Sequence, residues 1–180
     1  MTAGSDPVEA IVAGWRASLP SLDVSPMLVI GRLMRVAERC DVLLRPPFAA
    51  AGLAAGDFDV LAALRRTDPP HALTPGELAG AVLVTSGAVT KRVDRLERAG
   101  LVLRTRSDRD GRGRVVTLTP SGRTLTDRLI RVHMDNERAL LATLDAEERE
   151  VLGRLLGRLL VAVEPDPAVH TARRPGRSAP

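Results

Sequence analysis

Tyrosine is absent from the 180-residue chain, and all aromatics together make up only 2% of it. A core with so little aromatic bulk must be filled by Leu, Val and Ala, a composition that suits packed helices. Cysteine occurs once, as Cys40, so no disulfide can close within a chain, which fits a reducing cytosol. The three histidines, His71, His133 and His170, are scattered and offer no metal spacing. A nucleotide-binding loop, a Gly-x-Ser-x-Gly elbow and a local nucleophile–base pair are all missing. Neither an enzyme nor a cofactor is therefore expected. No apolar run approaches the ~20 residues of a membrane span. Residues 1–7 lack the basic start and apolar centre of a signal peptide. The expected location is the cytoplasm, in association with the nucleoid. Lysine is scarce too: Lys91 is the only one among 26 basic residues.

What is present centres on residues 74–119. Thr74-Pro75-Gly76-Glu77 is a helix start: Thr74 caps, Pro75 suits the first position, and Glu77 reaches back to complete a capping box. Leu78, Val82 and Leu83 give this helix a short apolar stripe. A second helix starts at Thr85 or Ser86 and runs to Ala99-Gly100, where Gly100 stops it. Two β-rich runs follow, Leu101 to Arg106 and Arg114 to Thr119, joined by a turn-rich segment at 107–113. Helix, turn, helix and hairpin in this order predict a winged helix-turn-helix, which lays its second helix in the major groove of DNA.

The second helix separates its faces. Val89, Val93 and Leu96 fall on one side of the wheel, and Lys91, Asp94, Arg95 and Arg98 on the other. Ser86, Gly87 and Ala88 keep its start slim, where a reading helix comes closest to base edges. Ser86, Thr90, Lys91 and Arg95 are placed to reach bases or phosphates. Residues 85–114, which include Arg109, Arg112 and Arg114 of the hairpin, carry a net charge of +5, against +4 for the whole chain. Positive charge is thus focused on the module, as phosphate binding requires. The expected partner is double-stranded DNA.

The flanks read as helices. Asp6-Pro7-Val8-Glu9 opens a short one carrying Trp15 and ending at Pro20. Ser25-Pro26 opens a longer one to about Arg45, with Pro46-Pro47 as a hard stop and Ala49 to Ala55 as a connector. Cys40 lies on the apolar side of this helix, either as a small buried hydrophobe or as a sensing thiol. Asp57 to Arg66 reads as a buried helix in which the Asp59 carboxylate needs a partner. A long helix follows from Pro120 to about Leu144, then a last one capped by Asp145. The wide leucine face of that last helix, with Leu152, Leu156 and Leu160, calls for a second subunit as cover. The predicted fold is mainly α with a small β-hairpin wing, built as an intertwined helical dimer. Its expected parts are N-terminal helices over 1–48, the DNA-binding domain over 49–122, C-terminal dimerisation helices over 123–164, and a disordered tail over 165–180.

From Leu73 through Val102, and again from Asp108 through Gly122, the chain resembles the MarR family of bacterial transcription regulators. The resemblance spans roughly residues 26–163 and implies a homodimeric repressor. It also implies that Arg112 enters the minor groove and that Asp110 stands at the base of the wing. Trp15-Arg16, Pro20, Asp23, Ser25-Pro26, Gly31-Arg32 and Arg35 further resemble the urate-responsive branch typified by PecS and HucR. That resemblance implies an effector site at Trp15, Asp59, Arg92 and Arg104 and a small anionic aromatic ligand such as urate. Two alternatives stand beside it: a nucleoid-architectural protein of low sequence specificity, and a redox-sensing regulator acting through Cys40. Peroxide-sensing relatives are expected to hold their thiolate with tyrosines, which this chain lacks.

Overall fold

The computed structural model describes residues 6–69, 71–82, 86–106 and 113–164, with only the backbone of Ser86. The chain divides into two compact units, residues 1–137 and 138–180.

In the first unit, Asp6 caps α1 (Pro7–Ser18) by accepting the Val8 N–H at 2.9 Å. Val8 and Val12 of α1 share a small core with Val24 and Leu28, at the start of α2 (Pro26–Leu44). Arg32 on α2 fixes the pair from outside, reaching Asp6 at 2.7 Å and Glu9 at 2.9 Å. The remainder of α2 is mostly exposed: no residue of it is buried, Cys40 and Leu44 are half-buried, and Met34 is 69% exposed. Pro46-Pro47 does end α2, but it also starts α3 (Pro46–Ala50). Proline's fixed φ and missing N–H disqualify it from a helix interior and suit it to a first turn.

The main core lies in the module that follows. α4 (Asp57–Arg66) buries Phe58, Val60, Leu61, Ala63 and Leu64. Against it pack Leu78 from α5 (Pro75–Ala81), Val89, Val93 and Leu96 from α6 (Ser86–Arg98), and Val102 and Val116 from the sheet. Thr74 and Glu77 form the expected capping box. Gly100, at φ +69°, ends the α6 segment in the left-handed region where glycine is unstrained.

The sheet has three strands in the order β1-β3-β2, all antiparallel. β2 (Val102–Arg106) and β3 (Arg114–Leu118) are the expected hairpin arms, in register from Val102↔Leu118 to Arg106↔Arg114. β1 (Ala72–Leu73) pairs with β3 and was not expected, since two residues carry no alternation to read. α7 (Pro120–Leu140) closes the module: Leu129 is buried in its core, and Leu125 and Ile130 pack against it.

In the second unit the chain leaves α7 at Leu140, earlier than the sequence suggests, and turns through Ala142 and Leu144. Asp145 then caps α8 (Ala146–Val163), with Glu148 completing a capping box. No residue of α8 is buried, and its leucines and valines run from 38% exposed at Leu156 to 79% at Val161. Among the described residues, no helix is long and apolar enough to cross a membrane.

Candidate nucleic-acid interface

α6 has the two faces its sequence specifies. Val89, Val93 and Leu96 are 0–1% exposed and fasten it to the module core. On the outer side Gly87, Thr90 and Lys91 are exposed, and Ala88 is half-buried beside them. Among the described residues, a methyl group added at Gly87 would meet no atom within 4 Å beyond its chain neighbours and its own helix backbone, so the helix start is open as well as slim. Ser86 begins the helix, but its side chain lies outside the described residues, as do Arg109, Asp110 and Arg112 of the wing. Arg114 is exposed at the start of β3, directly opposite exposed Arg106 of β2. Sequence reading missed Arg106; the hairpin register brings it into the basic set.

The remaining arginines are engaged. Arg95 is expected at bases or phosphates; its guanidinium instead lies on Asp57, with Nη2 to Oδ1 at 2.6 Å and Nε to Oδ2 at 3.2 Å. Hydrogen bonding to that carboxylate holds the Arg95 pKa above its ordinary value. A helix wheel separates apolar from polar residues but does not show which polar residues face a neighbouring loop. Arg104, in β2, grips Glu97 at 2.5 Å and also pairs with Asp94, so strand and helix are clamped together. Both acids lie on α6, and Arg104 is held above its ordinary pKa, first by Asp94.

Of the four expected effector residues, two meet. Arg92 approaches Asp59 at 3.5 Å and donates to the Gly56 carbonyl at 3.2 Å. Gly56 has φ +77°, and a Cβ there would fall 2.1 Å from Arg92 Cζ, so the absent side chain is the seat of the guanidinium. Asp59 also lines a cavity of about 260 Å³ with Asp41, Arg45, Phe48, Phe58 and His133. Phe48 and Phe58 stack there at 4.3 Å between centroids, with the His133 ring at their edge. Arg104 faces Asp94 and Glu97 rather than Arg92, and Trp15 is 43% exposed on α1 and does not line this cavity. Cys40 is free and half-buried on α2.

The comparisons with known proteins agree with this geometry. The MarR family profile matches residues 51–113. The transcriptional regulator PecS of Dickeya dadantii is 41% identical over 84% of this chain and 92% of its own length. A crystal structure of a mutant MarR from E. coli complexed with operator DNA is 30% identical, covers 81% of this chain and 97% of its own, and gives a TM-score of 0.64. BpsR of Bordetella bronchiseptica, whose DNA binding is regulated by 6-hydroxynicotinic acid, is 26% identical over 72% of this chain and 91% of its own, with a TM-score of 0.63. Helix order, hairpin and basic outer face, together with a relative this similar over nearly its full length, place the chain in the MarR family of transcriptional regulators that bind operator DNA.

Proposed function

We propose that the protein is a homodimeric repressor that binds a pseudo-palindromic operator and leaves it when a small anionic aromatic ligand of the urate type binds. The outer face of α6 carries the reading. Gly87, Ala88 and Thr90 present a slim surface on which Lys91 supplies positive charge, and Ser86 begins the helix. The facing pair Arg106 and Arg114 supports the same conclusion. Like charges directly opposite in an antiparallel pair repel, and a phosphate between them removes the penalty. Arg109 and Arg112 extend this charge along the hairpin sequence.

Dimerisation is supported by two helices whose long apolar faces the described residues leave largely uncovered. Neither α2 nor α8 buries a residue, and monomers seldom leave so much contiguous apolar surface in water. Residues 49–122 are the DNA-binding part in this reading, and 1–48 with 123–164 the dimerisation helices. A twofold axis then sets two α6 helices about 10 base pairs apart. The effector reading rests on Asp59 and Arg92, which join α4 to α6 beside a cavity of about 260 Å³. A ligand competing for Arg92 there pulls directly on α6. Trp15 and Arg104 complete the proposed set, and the ligand resembles in kind the aromatic acid named for BpsR.

The test is fluorescence anisotropy on duplex DNA from the protein's own promoter region. Binding that survives excess random duplex and is released by urate supports the whole reading. Binding lost to random competitor removes the sequence-specific part, and complexes unmoved by millimolar urate remove the ligand.

A further inference from the structure

Among the described residues, Asp57 is the only buried charged residue, at 3% exposure. It opens α4, where a helix N-terminus favours negative charge. A sealed carboxylate is tolerated when its oxygens are hydrogen-bonded, and three N–H groups do this here. Ala54 N donates to Oδ2 at 3.0 Å, Arg95 Nε to Oδ2 at 3.2 Å and Arg95 Nη2 to Oδ1 at 2.6 Å. The carboxylate therefore ties three things together: the 51–56 loop, the start of α4 and the last turn of α6.

We infer that Asp57 and Arg95 are positioning residues for DNA reading: their paired contact, together with the Arg104 clamp on Asp94 and Glu97, sets the rotation of α6 and so bears on which side chains meet the bases. The inference rests on α6 being the reading helix. The apolar side of α6 fastens it to the core through Val89, Val93 and Leu96, but such contacts are non-directional and tolerate rotation. A two-point guanidinium–carboxylate contact does not, because both of its bonds are directional. Asp57 is an immobile reference, since the adjoining Phe58, Val60 and Leu61 are 0–6% exposed. Arg95 stands one turn beyond Lys91 on the same helix, so fixing Arg95 fixes the bearing of Lys91 and Gly87. Arg95 then acts on DNA through the helix it holds.

This differs in outcome from an Arg95 that itself touches DNA. A phosphate contact contributes to the salt dependence of binding, and a positioning contact does not. The test compares wild type, Lys91→Ala, Asp57→Ala, Arg95→Ala and the Asp57→Ala/Arg95→Ala double variant. Each is titrated, at several salt concentrations, against a duplex selected by the wild type from a random pool and against a random duplex of equal length. Melting is followed in parallel. Asp57→Ala and Arg95→Ala are each expected to weaken the selected duplex about tenfold. Random-duplex binding and the salt slope should stay at wild-type values, and the double variant should be no worse than either single. Lys91→Ala should weaken both duplexes and lower the salt slope by about 1. If Asp57→Ala proves unfolded by circular dichroism, Asp57→Asn replaces it, with a loss of about threefold expected on the selected duplex alone. The inference is overturned if Asp57→Ala, or Asp57→Asn in its place, binds the selected duplex like wild type, whether or not its melting temperature falls. It is also overturned if Arg95→Ala lowers the salt slope as Lys91→Ala does. Loss of the Lys91 effect, or a wild type that selects no sequence, removes the reading-helix assignment itself and the inference with it.

Discussion

Replacing Gly122 by Ala adds one methyl group and should be among the more damaging small changes in this chain. Gly122 is buried in the first turn of α7, where that turn passes the end of α6 and the root of β2. A Cβ there would fall 1.9 Å from the Leu101 carbonyl oxygen and 2.9 Å from its carbon. These are backbone atoms, so no side-chain rotation relieves the overlap. The same carbonyl accepts the Thr119 N–H at 3.0 Å, while Thr119 Oγ1 and Ser121 Oγ donate to the Gly100 carbonyl at 2.8 and 3.1 Å. Pushing α7 away by the ångström or so that a Cβ demands opens this junction. Overpacking costs about 1–3 kcal/mol, and one lost backbone hydrogen bond about 1 kcal/mol. A total near 3 kcal/mol corresponds to a melting temperature lower by about 6–12 °C for a chain of this size. Gly80→Ala is the matched control: Gly80 is exposed on α5 with nothing within 4 Å of an added Cβ. It should raise stability by up to ~1 kcal/mol, because alanine is the better helix former. Calorimetric scans of the two variants beside wild type decide the matter. A Gly122→Ala protein melting within about 2 °C of wild type, or two variants falling equally, would refute the steric argument.

Four further outcomes are expected. Arg114→Ala and Arg106→Ala should each weaken operator binding and lower its salt slope by about 1, as read by anisotropy across salt concentrations. Leu156→Arg on α8 should shift the protein to monomer in sedimentation at micromolar concentration and abolish operator binding with it; a wild type already monomeric contradicts this. Trp15→Ala and Arg92→Ala should blunt release by urate after normalising for DNA affinity, and calorimetry without urate binding at millimolar concentration removes that site. Asp127 is hydrogen-bonded by Arg65, which holds its pKa below the ordinary 3.8. Its folded value is depressed, so its contribution to stability is present above that ordinary value and fades as pH falls through the lowered one. Urea melts of Asp127→Asn should show a deficit at pH 7 that closes in strong acid.

The elements and the outer face of the DNA module were legible because each has a local signature. Thr74 and Glu77 announce α5, Gly100 closes the α6 segment, and Val89, Val93 and Leu96 mark its inner side. What stayed hidden depends on partners distant in sequence. Asp57 stands 38 positions before Arg95, and nothing in the spacing says they touch. Asp59 is the acid that the apolar helix pattern singles out, yet its side chain is 58% exposed while that of Asp57 is 4% exposed. A helix wheel ranks azimuth but does not place the loop that approaches it. Arg106 is silent in the sequence for a similar reason, since only strand register sets it opposite Arg114. β1 was too short to leave a pattern, and α3 was concealed because Pro46-Pro47 marks a stop and a start with the same residues.

The bareness of α8 reaches beyond architecture into dosage. In the dimer proposed above, a helix on which the described residues bury nothing would have a stability set by how many copies are present. With a second copy as the cover, dilution loosens the arms while the core around Leu61 and Leu78 keeps its own cohesion. A cell holding few copies then holds few competent ones, fewer than in simple proportion. Occupancy of an operator would rise more steeply than protein concentration, so a threshold is set before any ligand arrives. Newly made single chains, with their leucines in water, would also be the form most exposed to chaperones and proteases. For a regulator that pairs as proposed, that arrangement would clear unpaired subunits and leave assembled ones in place.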